Sequence, residues 1–352
     1  MAEPKFLGHT FFWLLISEAH ISHIRRRFSS FVVNFLYGSD IYRDELLKGY
    51  CFTQELVKLN QRLCKLSHSE ATEPFREALR NFELPKEFHL PNVPRLIVDK
   101  FIVEKCKAMN SKKKPFWLTF HNAAPFATEP IRLLFKVGDD LRQDQLTLQV
   151  MKAMEHLWRK EGLDLHMRCY GVLPTGLNHG FIEVVPNTIT EQALQQEKGT
   201  FSGVWDTNII RDYLCNQAEQ NQQTARSNFM YSSAGYAVAT CVLGIADRHP
   251  GNILIQADCH YLHIDFGHFL GNFKTKLGYQ RENAPYHFSP ACTTVIGDVN
   301  SEMFTNYREL CGKPLNILRH NSKLLVTRLL LMLGTGIKYM TNMLKYRRMI
   351  KI

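Results

Sequence analysis

The sequence has no uninterrupted apolar stretch of the roughly 18 residues that a membrane-spanning helix needs, because Lys or Arg breaks each of the longest candidates. Any association with a membrane is therefore expected to be peripheral. There is no Cys-x-x-Cys pair and no Cys/His cluster at zinc spacing. The nine cysteines are scattered singly, the pattern of reduced thiols in a cytoplasmic protein. The N-terminus, MAEPKFLGHTFFWLLISEAH, lacks a basic leader and a small-residue cleavage site, and Glu18 interrupts its apolar patch; it reads as a buried helix rather than a signal peptide. Aromatics are not interleaved with the basic clusters, and no RRM, KH or zinc-finger pattern occurs, so nucleic acid is not an expected partner.

What is present fits a globular chain with more than one core: 352 residues, 45% hydrophobic and 22% charged. A formal net charge of +10 points to an anionic partner, and nucleotide phosphates or a phosphoinositide surface both qualify.

The stretch that organises the chain spans residues 235–272. An apolar segment, 235–245, leads into the polar loop DRHPGN at 247–252, which a β-branched run at 253–255 leaves. After a turn at Ala257 and Asp258, a second apolar run at 261–264 ends in Asp265, Phe266, Gly267 and His268. Two strands of a hairpin are expected to bring Asp247, Asn252 and Asp265 to one end of a small sheet. Mg²⁺ prefers hard oxygen ligands shared with substrate phosphates, so an Asn amide oxygen and an Asp carboxylate on neighbouring strands suit it. A second carboxylate nearby suits the orientation of an attacking hydroxyl. Taken singly, DRHPGN also reads as an ordinary turn and DFG as a strand end; their occurrence together, in this order, favours the site.

Elsewhere, helical spacing of apolar residues predicts helices over 5–37 and 42–66, the latter with Leu56, Leu59, Leu63 and Leu66 on one stripe. The prolines of ELPKEFHLPNVPRL mark an extended connector. Strand-like runs follow at 102–103, 116–120, 131–136, 168–172 and 180–185, and after a turn at 138–140 a helix that packs through Leu146, Val150, Met154 and Leu157. The lysine-rich turn at 109–115 reads by itself as a solvated hairpin loop, and Lys136, ending an apolar strand, as a snorkelling surface residue. Residues 231–245 predict a buried helix and 304–352 further helices, with a basic amphipathic end KYRRMIKI.

The pair DRHPGN and HIDFGHFLG, together with FKVGDDLRQD at 135–144, resembles the catalytic loop, activation-loop start and phosphate-binding lysine region of phosphoinositide 3-kinases, whose wider family includes lipid 4-kinases and large protein kinases. Ordinary protein kinases carry a different order, HRD followed by a spaced Asn. The resemblance covers essentially the full length and is class I-like. It implies an α+β, bilobal protein-kinase-like fold of the phosphoinositide 3/4-kinase family, preceded by helical-domain helices. Residues 1–38 would end the helical domain, 39–185 form the N-lobe, and 186–352 a C-lobe lacking the family's usual last helices.

The resemblance also implies site residues and cofactors, ATP and Mg²⁺. Ser111, Lys113 and Lys136 match phosphate contacts, Trp117 the tryptophan near adenine, and Asp144 and Tyr170 the inner pocket. Glu183 and Val185 fall in the hinge, whose backbone groups read adenine, while Leu254 and Ile264 match apolar positions lining the nucleotide. Asn252 and Asp265 match the metal ligands. Asp247, His249 and His268 are three candidates for orienting or deprotonating the acceptor hydroxyl. Lys274 and Lys276 match a first basic box, and Arg281 a second, that meet the lipid headgroup. The implied activity is transfer of the ATP γ-phosphate to the 3-hydroxyl of a phosphatidylinositol headgroup. It would act in the cytoplasm, recruited to an anionic membrane surface, with a possible regulatory subunit bound through regions outside this chain. A Ser/Thr protein kinase of the same superfamily and a non-catalytic binding module are the alternatives.

Overall fold

The computed structural model describes residues 3–39, 42–199, 202–217, 221–270, 275–276, 279–280, 286–337 and 340. The chain forms two compact units. One gathers the described residues up to Gln145 together with Tyr170–Val184; the other gathers Leu146–Cys169 and the described residues from Val185 onward.

The first unit opens with four helices, α1 (Glu3–Glu18), α2 (Arg25–Tyr37), α3 (Arg43–Leu63) and α4 (His68–Arg80). Five strands follow, β1 (Phe88–Leu90), β2 (Val93–Phe101), β3 (Lys107–Ala108), β4 (Phe116–Asn122) and β5 (Ile131–Val137). Helix α5 (Arg142–Lys160) starts here and runs into the second unit, after which β6 (Val172–Gly176) and β7 (His179–Glu183) complete the sheet. Its order is β1-β2-β4-β5-β7-β6, with β3 added to β4, and the pairings are antiparallel.

Side chains alternate across a strand with a period of two, and that alternation decides where the polar residues of β5 lie. Ile131, Leu133 and Phe135 are buried with Phe116, Leu118 and Phe120 of β4 in the core built on Phe52 and Leu56 of α3 and Phe75 of α4. Phe52 stacks on Phe181 at 5.9 Å and 6°. With Phe135 fully buried, its neighbour Lys136 is directed to the opposite face of the sheet.

Several expectations shift. The proline-marked connector supplies β1 and the first residues of β2, with an irregular register between His89 and Leu90, whereas 102–103 lies outside the strand and Val103 begins a 3₁₀ turn. Leu66 lies beyond the end of α3 and is exposed, so it leaves the expected stripe. The strand expected over 168–172 begins only at Val172; the Arg168 carbonyl is taken by the Tyr236 hydroxyl at 2.6 Å, a side-chain bond in place of a ladder bond.

The second unit contains β8 (Thr188–Thr190), α6 (Glu191–Glu197), α7 (Ser202–Trp205), α8 (Ile209–Gln217) and α9 (Gln222–Leu243). The expected hairpin follows as β9 (Ile253–Gln256) and β10 (Tyr261–His263), in register Leu254 with Leu262, and β8 adds to the outside of β9. A two-stranded ribbon, β11 (Thr275–Lys276) and β12 (Tyr279–Gln280), precedes α10 (Pro290–Ile296), α11 (Glu302–His320) and α12 (Ser322–Leu331). Helix α9 carries a long buried run from Ser232 to Thr240 and ends at Gly244, whose left-handed φ of 54° turns the chain into the DRHPGN loop. The end segment KYRRMIKI lies outside the described residues. Among the described residues no helix is long and apolar enough to cross a membrane.

Candidate active site

In the first unit the phosphate-type residues converge on one carboxylate. The 109–115 loop closes through a bond from Met109 N–H to the Pro115 carbonyl at 2.8 Å. Asn60 of α3 holds it from behind, its side-chain amide donating to the carbonyls of Lys113 and Lys114 at 3.1 and 2.9 Å. With those carbonyls tied back, Ser111 and Lys113 are exposed. Lys113 pairs with Asp139, and Lys136 reaches the other oxygen of the same carboxylate at 3.3 Å. Asp139 therefore brings the two lysines to one point, where a phosphate oxygen of like charge is suited to bind.

The turn between β5 and α5 makes this possible. Gly138 has φ +99°, a conformation that L side chains rarely adopt, and an added Cβ would sit 3.0 Å from Lys113 Cδ. The Lys113 stem thus lies across a position that only glycine leaves open. Asp144, in the first turn of α5, and Tyr170 are buried. Trp117 is half-buried on β4, with Lys107 Nζ 5.5 Å from its ring centre. Glu183 ends β7, and both its N–H and its carboxylate are engaged by Gly171, at 2.8 and 2.6 Å.

The second unit interlocks the two loops of the opening motif. Asp247 and Asp265 both have φ of 59°, in the left-handed region, and the backbone around them is zipped: Ala246 N–H donates to the His268 carbonyl at 2.9 Å, Ile264 N–H to the Asn252 carbonyl at 3.0 Å. The Asn252 side-chain amide donates to the Asp247 carbonyl at 2.9 Å, which commits its nitrogen and fixes the direction of its oxygen. The Asp265 carboxylate is exposed. His249 is exposed and its Nδ1 accepts from Gly251 N–H at 3.1 Å; His268 is half-buried. Leu254 lies on the opposite face of β9 from the fully buried Ile253 and Ile255, and Ile264 continues β10 as a half-buried residue. The Val185 carbonyl accepts from the Thr188 hydroxyl at 3.0 Å. Of the headgroup residues, Lys274 and Arg281 lie outside the described residues, and Lys276 pairs in register with Tyr279 on the ribbon.

Three features escaped the sequence reading. Arg248, buried, donates to the carbonyls of Ala246, Ile264 and Asp265, so one guanidinium ties both loops together. Asp139 carries the lysine convergence. Beneath the hairpin, His263 stacks on Tyr236 at 5.2 Å and 10°, and neither of its ring nitrogens has a hydrogen-bond partner. Burial, with Arg248 and His287 near, holds it well below the usual histidine range. The DRH and HIDFG strings contain Arg248 and His263, but neither burial nor bond direction is visible in a string.

Comparison with known proteins adds an independent line. The family described as phosphatidylinositol 3- and 4-kinase matches residues 130–341. The chain is 41% identical over 335 residues to phosphatidylinositol 3-kinase 3 of Dictyostelium discoideum, covering 94% of this chain and 20% of that protein. It is 39% identical over 340 residues to phosphatidylinositol 3-kinase 1 of the same organism, 96% of this chain and 22% of that one. Human phosphatidylinositol 4-phosphate 3-kinase C2 domain-containing subunit beta is 35% identical over 350 residues, 96% of this chain and 21% of that protein. The chain spans about a fifth of the length of these curated relatives.

Proposed function

The chain belongs to the phosphatidylinositol 3- and 4-kinase family, and from that premise we propose that it is a phosphatidylinositol 3-kinase, transferring the ATP γ-phosphoryl group to the 3-hydroxyl of phosphatidylinositol or a phosphorylated form of it. The observation that carries this reading is the interlocked pair of loops, in which Arg248 and the Asn252–Asp247 bond hold two carboxylates and an amide oxygen on neighbouring backbone. The names of the similar proteins support the 3-hydroxyl as acceptor. We assign 39–185 to the kinase N-lobe, 186–352 to the C-lobe and 1–38 to the end of a helical domain.

Phosphoryl transfer asks a protein chiefly for positioning and charge neutralisation. Lys113 and Lys136, with Ser111, hold the phosphates, exchanging the Asp139 carboxylate for phosphate oxygens. In the first unit we assign Asp144, Tyr170 and Trp117 to the nucleotide, and in the second unit Leu254 and Ile264. With the Glu183 N–H already bonded to Gly171, backbone reading of adenine at the hinge falls to the Glu183 carbonyl and to Val185. The donor set of Asn252 and Asp265, oxygen ligands on adjacent loops, fits Mg²⁺, which when bound neutralises charge on the phosphates.

The 3-hydroxyl oxygen bonds to the γ-phosphorus as the bond to the β–γ bridging oxygen breaks, leaving ADP. Because His249 Nδ1 accepts a bond from Gly251 N–H, a neutral ring carries its proton on Nε2 and is a donor there. Asp247 then takes the hydroxyl proton, and His249 and His268 donate to phosphoryl oxygens. Lys274, Lys276 and Arg281, with the net charge of +10, support an anionic headgroup and a cytoplasmic enzyme recruited to an anionic membrane surface. The test is ATP consumption with and without phosphatidylinositol vesicles, beside an Asp265→Ala control. Lipid-dependent turnover in wild type alone is expected; equal activity of the two proteins would sink the reading.

A further inference from the structure

Helix α1 reaches the phosphate turn through a chain of charges, of which Glu18 and Arg142 are buried. Arg142, the first residue of α5, donates from Nη1 to both carboxylate oxygens of Glu18, at 3.1 and 3.0 Å. Its Nε and Nη2 donate to the two oxygens of Asp140, at 2.9 and 2.7 Å. Asp140 Oδ1 also accepts from the Arg142 backbone N–H at 3.2 Å. Glu18 and Arg142 are both buried, at 7% and 6% exposure, and they are 124 residues apart in the chain. Asp140 immediately follows Asp139, the carboxylate on which Lys113 and Lys136 converge, and Gly138 before it fixes the turn through its N–H bond to the Asn178 carbonyl at 2.6 Å.

We infer that Glu18 is a positioning residue for nucleotide phosphates, acting through Arg142 and Asp140 on the 138–140 turn. Two facts single it out from an ordinary structural ion pair. A guanidinium makes five donor contacts in a fixed plane, and here that plane is filled from one edge by Asp140 and from the other by Glu18. Arg142 therefore couples the orientation of Asp140, which the Arg142 backbone N–H also holds, to the position of Glu18. Second, Asp140 belongs to the same turn as Asp139, on which the two lysines converge, so its disturbance should be felt by phosphates more than by a nucleoside. The inference rests on the nucleotide-binding role proposed above, and adds to it a residue at the end of α1, outside the span from 130 to 341 that the family match covers.

The experiment measures binding of ATP, ADP and adenosine by calorimetry to the full chain, wild type and Glu18→Gln, with the thermal midpoint of each. Glutamine keeps the shape and one acceptor but removes the charge that orients Arg142. ATP and ADP affinities are expected to fall roughly tenfold or more, because small misplacements of positioning groups carry costs of that order, while adenosine affinity stays unchanged. If Glu18→Gln does not fold, Glu18→Asp, which withdraws the carboxylate by one methylene and keeps its charge, is read in the same way. Unchanged ATP affinity, or ATP and adenosine falling together, overturns the inference. Wild-type protein that binds ATP no more tightly than adenosine overturns the phosphate-binding reading as well, and so separates the two failures.

Discussion

Arg248 donates from Nη1 to the Ile264 carbonyl at 2.7 Å, a bond that ties the DRHPGN loop to the strand end carrying Asp265. The same side chain bonds the carbonyls of Ala246 and Asp265 and lies 5.6 Å from the Phe266 ring centre. Three of its bonds go to backbone carbonyls of the two loops, so it contributes to the shape of the site.

Arg248→Leu is expected to leave these carbonyls without their charged donor. Bonds to charged groups contribute about 1.5–3 kcal/mol each, so unfolding in urea should show a loss of at least about 3 kcal/mol. Turnover of the folded variant should fall by about two orders of magnitude, since catalytic positioning is lost with the loop geometry.

Asp265→Asn should behave in the opposite way. The carboxylate is exposed, so stability is expected within about 0.5 kcal/mol of wild type. Phosphoryl transfer should fall by about 10²-fold or more, and the Mg²⁺ concentration for half-maximal rate should rise. Unfolding curves and a metal titration check the two halves of this statement.

Gly138→Ala combines backbone strain with displacement. At φ +99° a Cβ costs about 1–2 kcal/mol, and the Lys113 stem, 3.0 Å from that Cβ, must move away. A lower thermal midpoint and a KM for ATP raised several-fold are expected, with the KM for lipid unchanged.

Acid should destabilise the protein through its neutral histidines. Burial pushes His179 down to about 4; burial, then the charge of Arg248, brings His287 to about 4. Their folded values lie below the unfolded value near 6.5, so the unfolded chain binds protons first. Stability is full above pH 6.5 and falls from there toward pH 4, by about 2 kcal/mol per histidine at pH 5. Glu191, 4.0 Å from His287, is raised by burial and acts in the reverse sense, its contribution declining as pH rises above its unfolded value. Thermal midpoints between pH 8 and 5 check the slope, and His287→Phe should flatten it by about one proton.

Much of the architecture was legible because periodicity is local. The alternation in β4 and β5, the buried helix α9 and the β9–β10 hairpin follow from neighbouring residues, and the hairpin is present with Leu254 opposite Leu262. The strand expected at 168–172 was misread because a distant hydroxyl, that of Tyr236, takes a carbonyl that the local pattern assigns to a ladder. Leu66 was misread because the helix ends before the apolar stripe does.

The motif strings determined by themselves which chemistry is available: hard oxygen donors in DRHPGN and DFG, lysines at 113 and 136, and membership of a kinase family that the match over 130–341 bears out. Residue type and spacing carry that information because they specify donors and charges. Only the tertiary structure decided that Asp139 gathers the two lysines, that Arg248 binds the loops by their carbonyls, and that Glu18 reaches Asp140 through Arg142 across 124 residues. Such contacts depend on which groups are buried against which, and a buried charge takes its partner from space, not from sequence.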